Sequence, residues 1–169
     1  MDAPDLLLDL ASRPRDAAAR LRGRLDPATL RAHPGGHDNS PAWLLWHTGR
    51  EVDVQLAALS DAEEVWTAQG HRDLLALGEA GDEVGYGHTS AQARRLVVED
   101  GDALLDYVDA ALAALEDYLG TLTAADLAEV VDSQWDPPVT RGVRLVSIVD
   151  DAVQHLAQAA YVLGMPQPV

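Results

Sequence analysis

The chain has 169 residues, a formal net charge of −16 and no cysteine, and all 12 of its basic residues are arginine. Without cysteine there is no disulfide, thiolate ligand or cysteine nucleophile, and without lysine there is no Schiff-base, lysine-bound pyridoxal or P-loop chemistry. The acidic balance repels nucleic-acid phosphate and anionic lipid; 47% of the residues are hydrophobic, yet no apolar run approaches the roughly 20 residues of a membrane span, so neither nucleic acid nor membrane is an expected partner.

The length suits a single domain over residues 1–169. At the N-terminus, Met1-Asp2-Ala3-Pro4-Asp5 puts no basic region ahead of Leu6-Leu7-Leu8, so no secretory signal is expected and the cytoplasm is the expected location. A first helix spans residues 4–25, and Pro14 kinks or splits it because its ring clashes with the Leu10 carbonyl. Asp26-Pro27 caps a short turn, and residues 33–39, with Pro34-Gly35-Gly36, form a loop. Ser40-Pro41 is an N-cap followed by proline at the first helical position, which opens a second helix to residue 59. Ser60-x-x-Glu63 reads as a capping box for a short helix through Trp66.

Residues 70–89 hold Gly70, Gly78, Gly81, Gly85 and Gly87 and are expected to be the loosest stretch, a long crossover. Thr89-x-x-Gln92 is a second capping box, opening a long helix to residue 119 on Leu104, Val108, Ala111, Leu115 and Leu119, with a bend at Gly101. Thr123-Ala124-Ala125-Asp126 starts a short helix, and Trp135-Asp136-Pro137-Pro138 breaks the chain before a last helix over residues 141–163. Gly164 and Pro166 form its stop signal. No stretch alternates as a strand over a useful length. The fold class is therefore all-α: an antiparallel four-helix bundle with a long crossover and short accessory helices. The sequence leaves the oligomeric state open; a helical face left apolar after bundle assembly would favour a homodimer.

Two of these helices carry candidate metal ligands. Asp151 and His155 stand at i and i+4, about 5–6 Å apart at Cβ, on the edge of an apolar stripe with Ile148, Ala152, Ala159 and Val162. A third ligand must come from a facing helix. His47, in Trp43-Leu44-Leu45-Trp46-His47, shares a face with Trp43, Leu44, Val54 and Ala58 and points to the interior. A carboxylate at that edge is costly unless a cation pairs with it. Two imidazoles and a carboxylate suit Zn²⁺ first, and Fe²⁺, Ni²⁺ or Mn²⁺ as well. Against this stand a core histidine packed between tryptophans and an ordinary helix-surface pair, and spacing alone leaves the readings level.

Weaker candidates surround this trio. Arg50 either anchors a substrate or thiol carboxylate or pairs with Asp53 or another carboxylate. Glu51 either accepts an imidazole N–H or faces solvent. Trp43, Trp46 and Trp135 either wall a pocket or are plain core. His71 and His88 lie in the glycine-rich crossover, where a solvated loop histidine is a better reading than an acid/base group.

The segment Asn39-Ser40-Pro41-Ala42-Trp43-Leu44-Leu45-Trp46-His47-Thr48-Gly49-Arg50 with Asp53, and the segment Gln154-His155-x-x-Gln158-Ala159-Ala160-Tyr161-Val162-x-Gly164, resemble the DinB-like superfamily. The likeness is greatest to the actinobacterial branch that includes mycothiol-dependent maleylpyruvate isomerase. It covers nearly the whole chain in element order, with its specificity in those two segments. The resemblance implies a four-helix bundle whose metal is held by a histidine on the second helix and a (His/Asp/Glu)-x-x-x-His pair on the last, here His47, Asp151 and His155. Many members carry histidine where this chain has Asp151; the isomerase-like ones carry an acidic residue. It further implies that the metal coordinates a low-molecular-weight, mycothiol-like thiol, lowers its pKa and delivers a thiolate to a small electrophile. A cysteine-free chain is compatible with a borrowed thiol. The expected function is a metal-dependent thiol transferase or isomerase acting on a small molecule. The alternatives are a hydrolase using metal-activated water, a non-catalytic ligand-binding bundle and a metal-free structural module.

Overall fold

Seven side-chain N-caps divide the described residues into helices. The computed structural model describes residues 2–165, so Met1 of the N-terminal segment and Pro166 of the stop signal lie outside the described residues. Asp2 opens α1 (Ala3–Ala19) through a reciprocal capping box with Asp5, a signal not read from the sequence. The helix runs unbroken through Pro14, which is buried, and ends six residues short of the expected boundary. Packing against two other helices outweighs the missing backbone bond, and Leu21 and Leu25 enter the core from a turn. Asp26 caps α2 (Pro27–Leu30), and a 3₁₀ turn covers Pro34–Gly36.

Ser40 caps α3 (Pro41–Ser60), accepting from the Trp43 amide at 3.2 Å. The capping box expected at Ser60 does not form. Ser60 is still helical, with its hydroxyl donating to the Leu56 carbonyl, and α3 ends at Asp61. The next helix, α4 (Val65–Ala68), is capped from a distance by the Asp53 carboxylate, which accepts from the Val65 and Trp66 amides at 2.7 and 2.8 Å. The crossover is not loose either: it holds α5 (His71–Leu75) and α6 (Glu79–Asp82). The Thr89 capping box forms but opens only α7 (Ser90–Arg95). The chain then extends to bury Leu96 and Val98, and Asp100 recaps it for α8 (Gly101–Leu119), so Gly101 begins a helix and does not bend one. The Thr123 box opens α9 (Ala124–Leu127) as expected. An antiparallel ribbon of β1 (Val130–Asp132) and β2 (Val139–Thr140) was not expected, because strands of three and two residues are too short to show alternation. Thr140 caps the last helix, α10 (Arg141–Gly164).

The expected four-helix bundle is built from α1, α3, α8 and α10 around one core. Arg15 of α1 and Arg22 of the turn that follows it reach Asp109 and Asp106 of α8, and His47 and Leu59 of α3 meet Asp151 and Arg141 of α10, so both pairs are antiparallel. By contrast α3 and α8 run parallel, with Asp53 bonded to Tyr107 and the Leu59 carbonyl to Tyr118. The long crossover makes that possible, since it returns the chain to the starting end of the bundle. The two helices approach closely at Gly49, where a Cβ would lie 2.5 Å from the Tyr107 ring.

Every residue from Pro41 to Arg50 is buried, because α8 and α10 cover two sides of α3 and the crossover covers a third. Trp46 is wholly buried and donates to the Gly81 carbonyl at 3.2 Å. Burying an indole of roughly 150–250 Å² is worth about 4–6 kcal/mol, several times a net hydrogen bond of about 1 kcal/mol. The apolar contact therefore fastens the crossover, and the hydrogen bonds set its register. Among the described residues no helix is long and apolar enough to cross a membrane.

Candidate metal centre

Caps at both ends of the α3–α10 seam fix which residues face across it. Ser40 and Thr140 start the two helices, and their antiparallel pairing brings His47 opposite Asp151 and His155. One ligand atom from each of these three residues lies within 4.8 Å of the others. The His47 Nε2 is 3.8 Å from Asp151 Oδ2, and the His155 Nε2 is 3.4 Å from Asp151 Oδ1.

The opposite nitrogen of each ring is occupied. His47 Nδ1 donates to the Val84 carbonyl at 2.5 Å, and His155 Nδ1 donates to Gln158 Oε1 at 3.2 Å. A carbonyl oxygen can only accept, so both Nδ1 atoms carry the proton and both Nε2 lone pairs face Asp151. Burial pulls both imidazoles towards the neutral form. His47 ends below its ordinary value despite the Val84 bond, whereas Asp151 and Gln158 lift His155 above its own. Asp151 Oδ2 is buried without a hydrogen-bond partner. An unpaired carboxylate oxygen beside two aligned lone pairs is the donor set a divalent cation requires, so the residues fit such an ion.

A model of the DinB superfamily matches residues 11–159. The chain belongs to the DinB superfamily. A crystal structure titled as a conserved protein from Enterococcus faecalis is 34% identical to it, with 96% of each chain covered and a TM-score of 0.86. Comparison with curated proteins gives no match.

Around the trio, this DinB bundle assigns the weaker candidates differently from the sequence. Trp43 does belong to the site: it stacks on His47 at 4.6 Å between ring centroids and meets His155 edge-on at 6.1 Å. Arg50 does not anchor a ligand carboxylate. It is 3% exposed and clasps the crossover, donating to Glu64 and to the carbonyls of Glu83 and Asp82, with Tyr107 and the Trp66 ring close by. Its pairing with a carboxylate is the other role read from the sequence: Glu64 lies at 2.8 Å and the expected Asp53 at 3.8 Å. Glu51 does not orient an imidazole either, since Val84 and Gln158 do so and Glu51 accepts from Gln55. Burial, then the charge of Asp151, pushes the Glu51 carboxyl above the usual range; a bound cation would draw it back. Trp46 is core, and Trp135 is two-thirds exposed.

Neither crossover histidine is solvated. His88 accepts from Trp43 Nε1 at 3.2 Å, donates to Glu83 Oε2 at 2.6 Å and stacks on Trp46. His71 is buried against Tyr107 with both nitrogens unpartnered. Gln158, at i+3 from His155, was legible as a neighbour and was missed. Val84 acts through its main chain and leaves no side-chain signal. Gly85 beside it has a φ of +94°, and a Cβ there would lie 2.9 Å from Trp46, 3.0 Å from His47 Nδ1 and 3.1 Å from Trp43. Only glycine lets the crossover come this close.

Proposed function

We propose that the protein is a metal-dependent enzyme in which His47, Asp151 and His155 hold a divalent ion, zinc first among the possibilities, that activates a low-molecular-weight thiol for transfer to, or isomerisation of, a small electrophile. One observation carries this reading: two Nε2 lone pairs and an unpartnered buried carboxylate oxygen converge while both Nδ1 atoms are tied back. Superfamily membership supports it, since DinB proteins often bind metal. When bound, such an ion supplies Lewis acidity that lowers the pKa of a ligating thiol or water. The chain's own residues do the rest. Val84 and Gln158 hold the imidazole tautomers, Trp43 fixes the His47 ring and shields it from water, and Asp151 supplies the negative charge. A chain with no cysteine offers no thiolate of its own, so the nucleophile comes from solution, as in the mycothiol-dependent isomerases that its motifs resemble. A cytoplasmic setting, where small thiols stay reduced, suits that chemistry.

The test is metal content by elemental mass spectrometry, on protein purified without a metal-affinity step, for wild type and His155→Ala. Near-stoichiometric metal that the variant loses, with thiol-dependent conversion of an electrophile lost in parallel, is the expected result. Metal absent from both proteins after incubation with excess zinc would overturn the metal centre. Ester hydrolysis without any thiol would move the chemistry to activated water.

A further inference from the structure

A groove of about 530 Å³ opens at the end of the α3–α10 seam, within the usual size of a small-molecule site. Leu44 of α3 and Ala157, Tyr161 and Val162 of α10 form its walls, and the loop over residues 34–39 forms its rim. Leu44 precedes His47 by one helical turn and Gln158 follows His155 by one, so the groove begins next to the candidate centre. Gln158 belongs to both: it lines the groove and holds His155 Nδ1. The rim is preformed. Arg94 donates to the Gly36 carbonyl at 2.6 Å and to Asp38 at 2.8 Å, and Ser90 donates to Asp38 at 2.7 Å.

Charge decides what fits. Asp, Glu, Lys and Arg make up 24% of the chain, yet among the described residues none of them lines this groove, whose polar side chains are His37, Asn39, Gln158 and Tyr161. A carboxylate placed there would lose water and gain no cation. A second pocket on the seam, near the end of α3, contains Arg141 and Arg144, but both are already engaged, by Glu129 and by Asp132 and Gln55. Tyr161, 70% exposed, leaves an aromatic face open at the groove.

We infer that the groove takes the apolar part of a small molecule whose reactive head reaches the His47–Asp151–His155 cluster. The substrate is thus an uncharged hydrophobic electrophile, not a dicarboxylic acid. This rests on the metal-centre reading above.

The experiment compares octanohydroxamate with acetohydroxamate, which share a metal-chelating head, by titration calorimetry on zinc-loaded protein. The wild type should bind the longer ligand at least about tenfold more tightly. Ala157→Trp, which fills the groove from an exposed position, should bring that ratio close to one with zinc content and circular dichroism unchanged; Tyr161→Ala should lower it partially. Zinc retained with no gain from chain length, or a gain that Ala157→Trp leaves intact, overturns the inference alone. Octanohydroxamate binding that survives His155→Ala after zinc is lost separates groove from centre and overturns it too. A wild type that takes up no zinc removes the centre and the inference together. A mass by light scattering that rises with concentration and falls in Ala157→Trp would give the groove to a second copy instead.

Discussion

At the scale of single residues, the acceptors behind the imidazoles decide how well the centre works. Gln158→Leu should leave the fold intact and weaken zinc about 10–100-fold, measured by competition with a chromophoric chelator, because the His155 ring loses the bond that fixes its tautomer. Unchanged affinity would mean that packing against His47 and Trp43 already holds the ring. A second imidazole makes a separate prediction. His71 is buried with neither nitrogen partnered, and burial holds its pKa below the ordinary 6.5 despite Asp106 and Asp53. The folded state resists a proton that the unfolded state accepts, so the titration of this residue costs stability as pH falls through 6.5 and below, and well above it only the cost of its unpaired nitrogens remains. His71→Leu should therefore match or exceed the wild-type Tm at pH 7.5 and lose less of it by pH 5.5. Parallel Tm curves for the two proteins would exclude that account.

At the scale of elements, the unusual feature is a cap supplied from another helix. Asp53 takes the first two amides of α4 and the Tyr107 hydroxyl, with Arg50 at 3.8 Å. Asp53→Asn keeps the size but loses one acceptor and the charge, and should destabilise the fold by about 2–4 kcal/mol in urea denaturation. A change below 0.5 kcal/mol would mean water replaces the cap. Asp53 also shows where sequence stops being informative. The bundle helices and the caps at Ser40, Thr89 and Thr123 were legible because each signal lies within four residues of its partner. The Asp53 cap joins residues 12 and 13 apart, so the local Ser60 box looked sufficient and was not. The break at Leu96–Val98 was hidden for a similar reason: burial in the core, not local propensity, extends the chain there. His47, Asp151 and His155 were found together because one pair shares a helix face and the third sits on the only other strongly apolar helix bearing an imidazole in mid-helix.

At the scale of the whole molecule, net charge opposes compactness. With a formal charge of −16 the folded chain repels itself, while most of its arginine pairs are exposed and contribute little. Raising sodium chloride from 0.02 to 0.5 M should thus raise the Tm of metal-free protein by a few degrees, since it screens the repulsion more than it weakens those pairs. A lower Tm in salt would show that the ion-pair network dominates. Zinc should stabilise on top of this in proportion to its occupancy, and a chelator should reverse it.

The main-chain bond from Val84 to His47 has an outcome for anyone reading the protein by substitution. What position 84 contributes is a carbonyl, and all twenty residue types possess one. A saturation scan scored on zinc retention should therefore find position 84 permissive and position 85 nearly closed to change. The tally would point to a glycine that touches no metal and pass over its neighbour, whose oxygen keeps the ligand's proton in place.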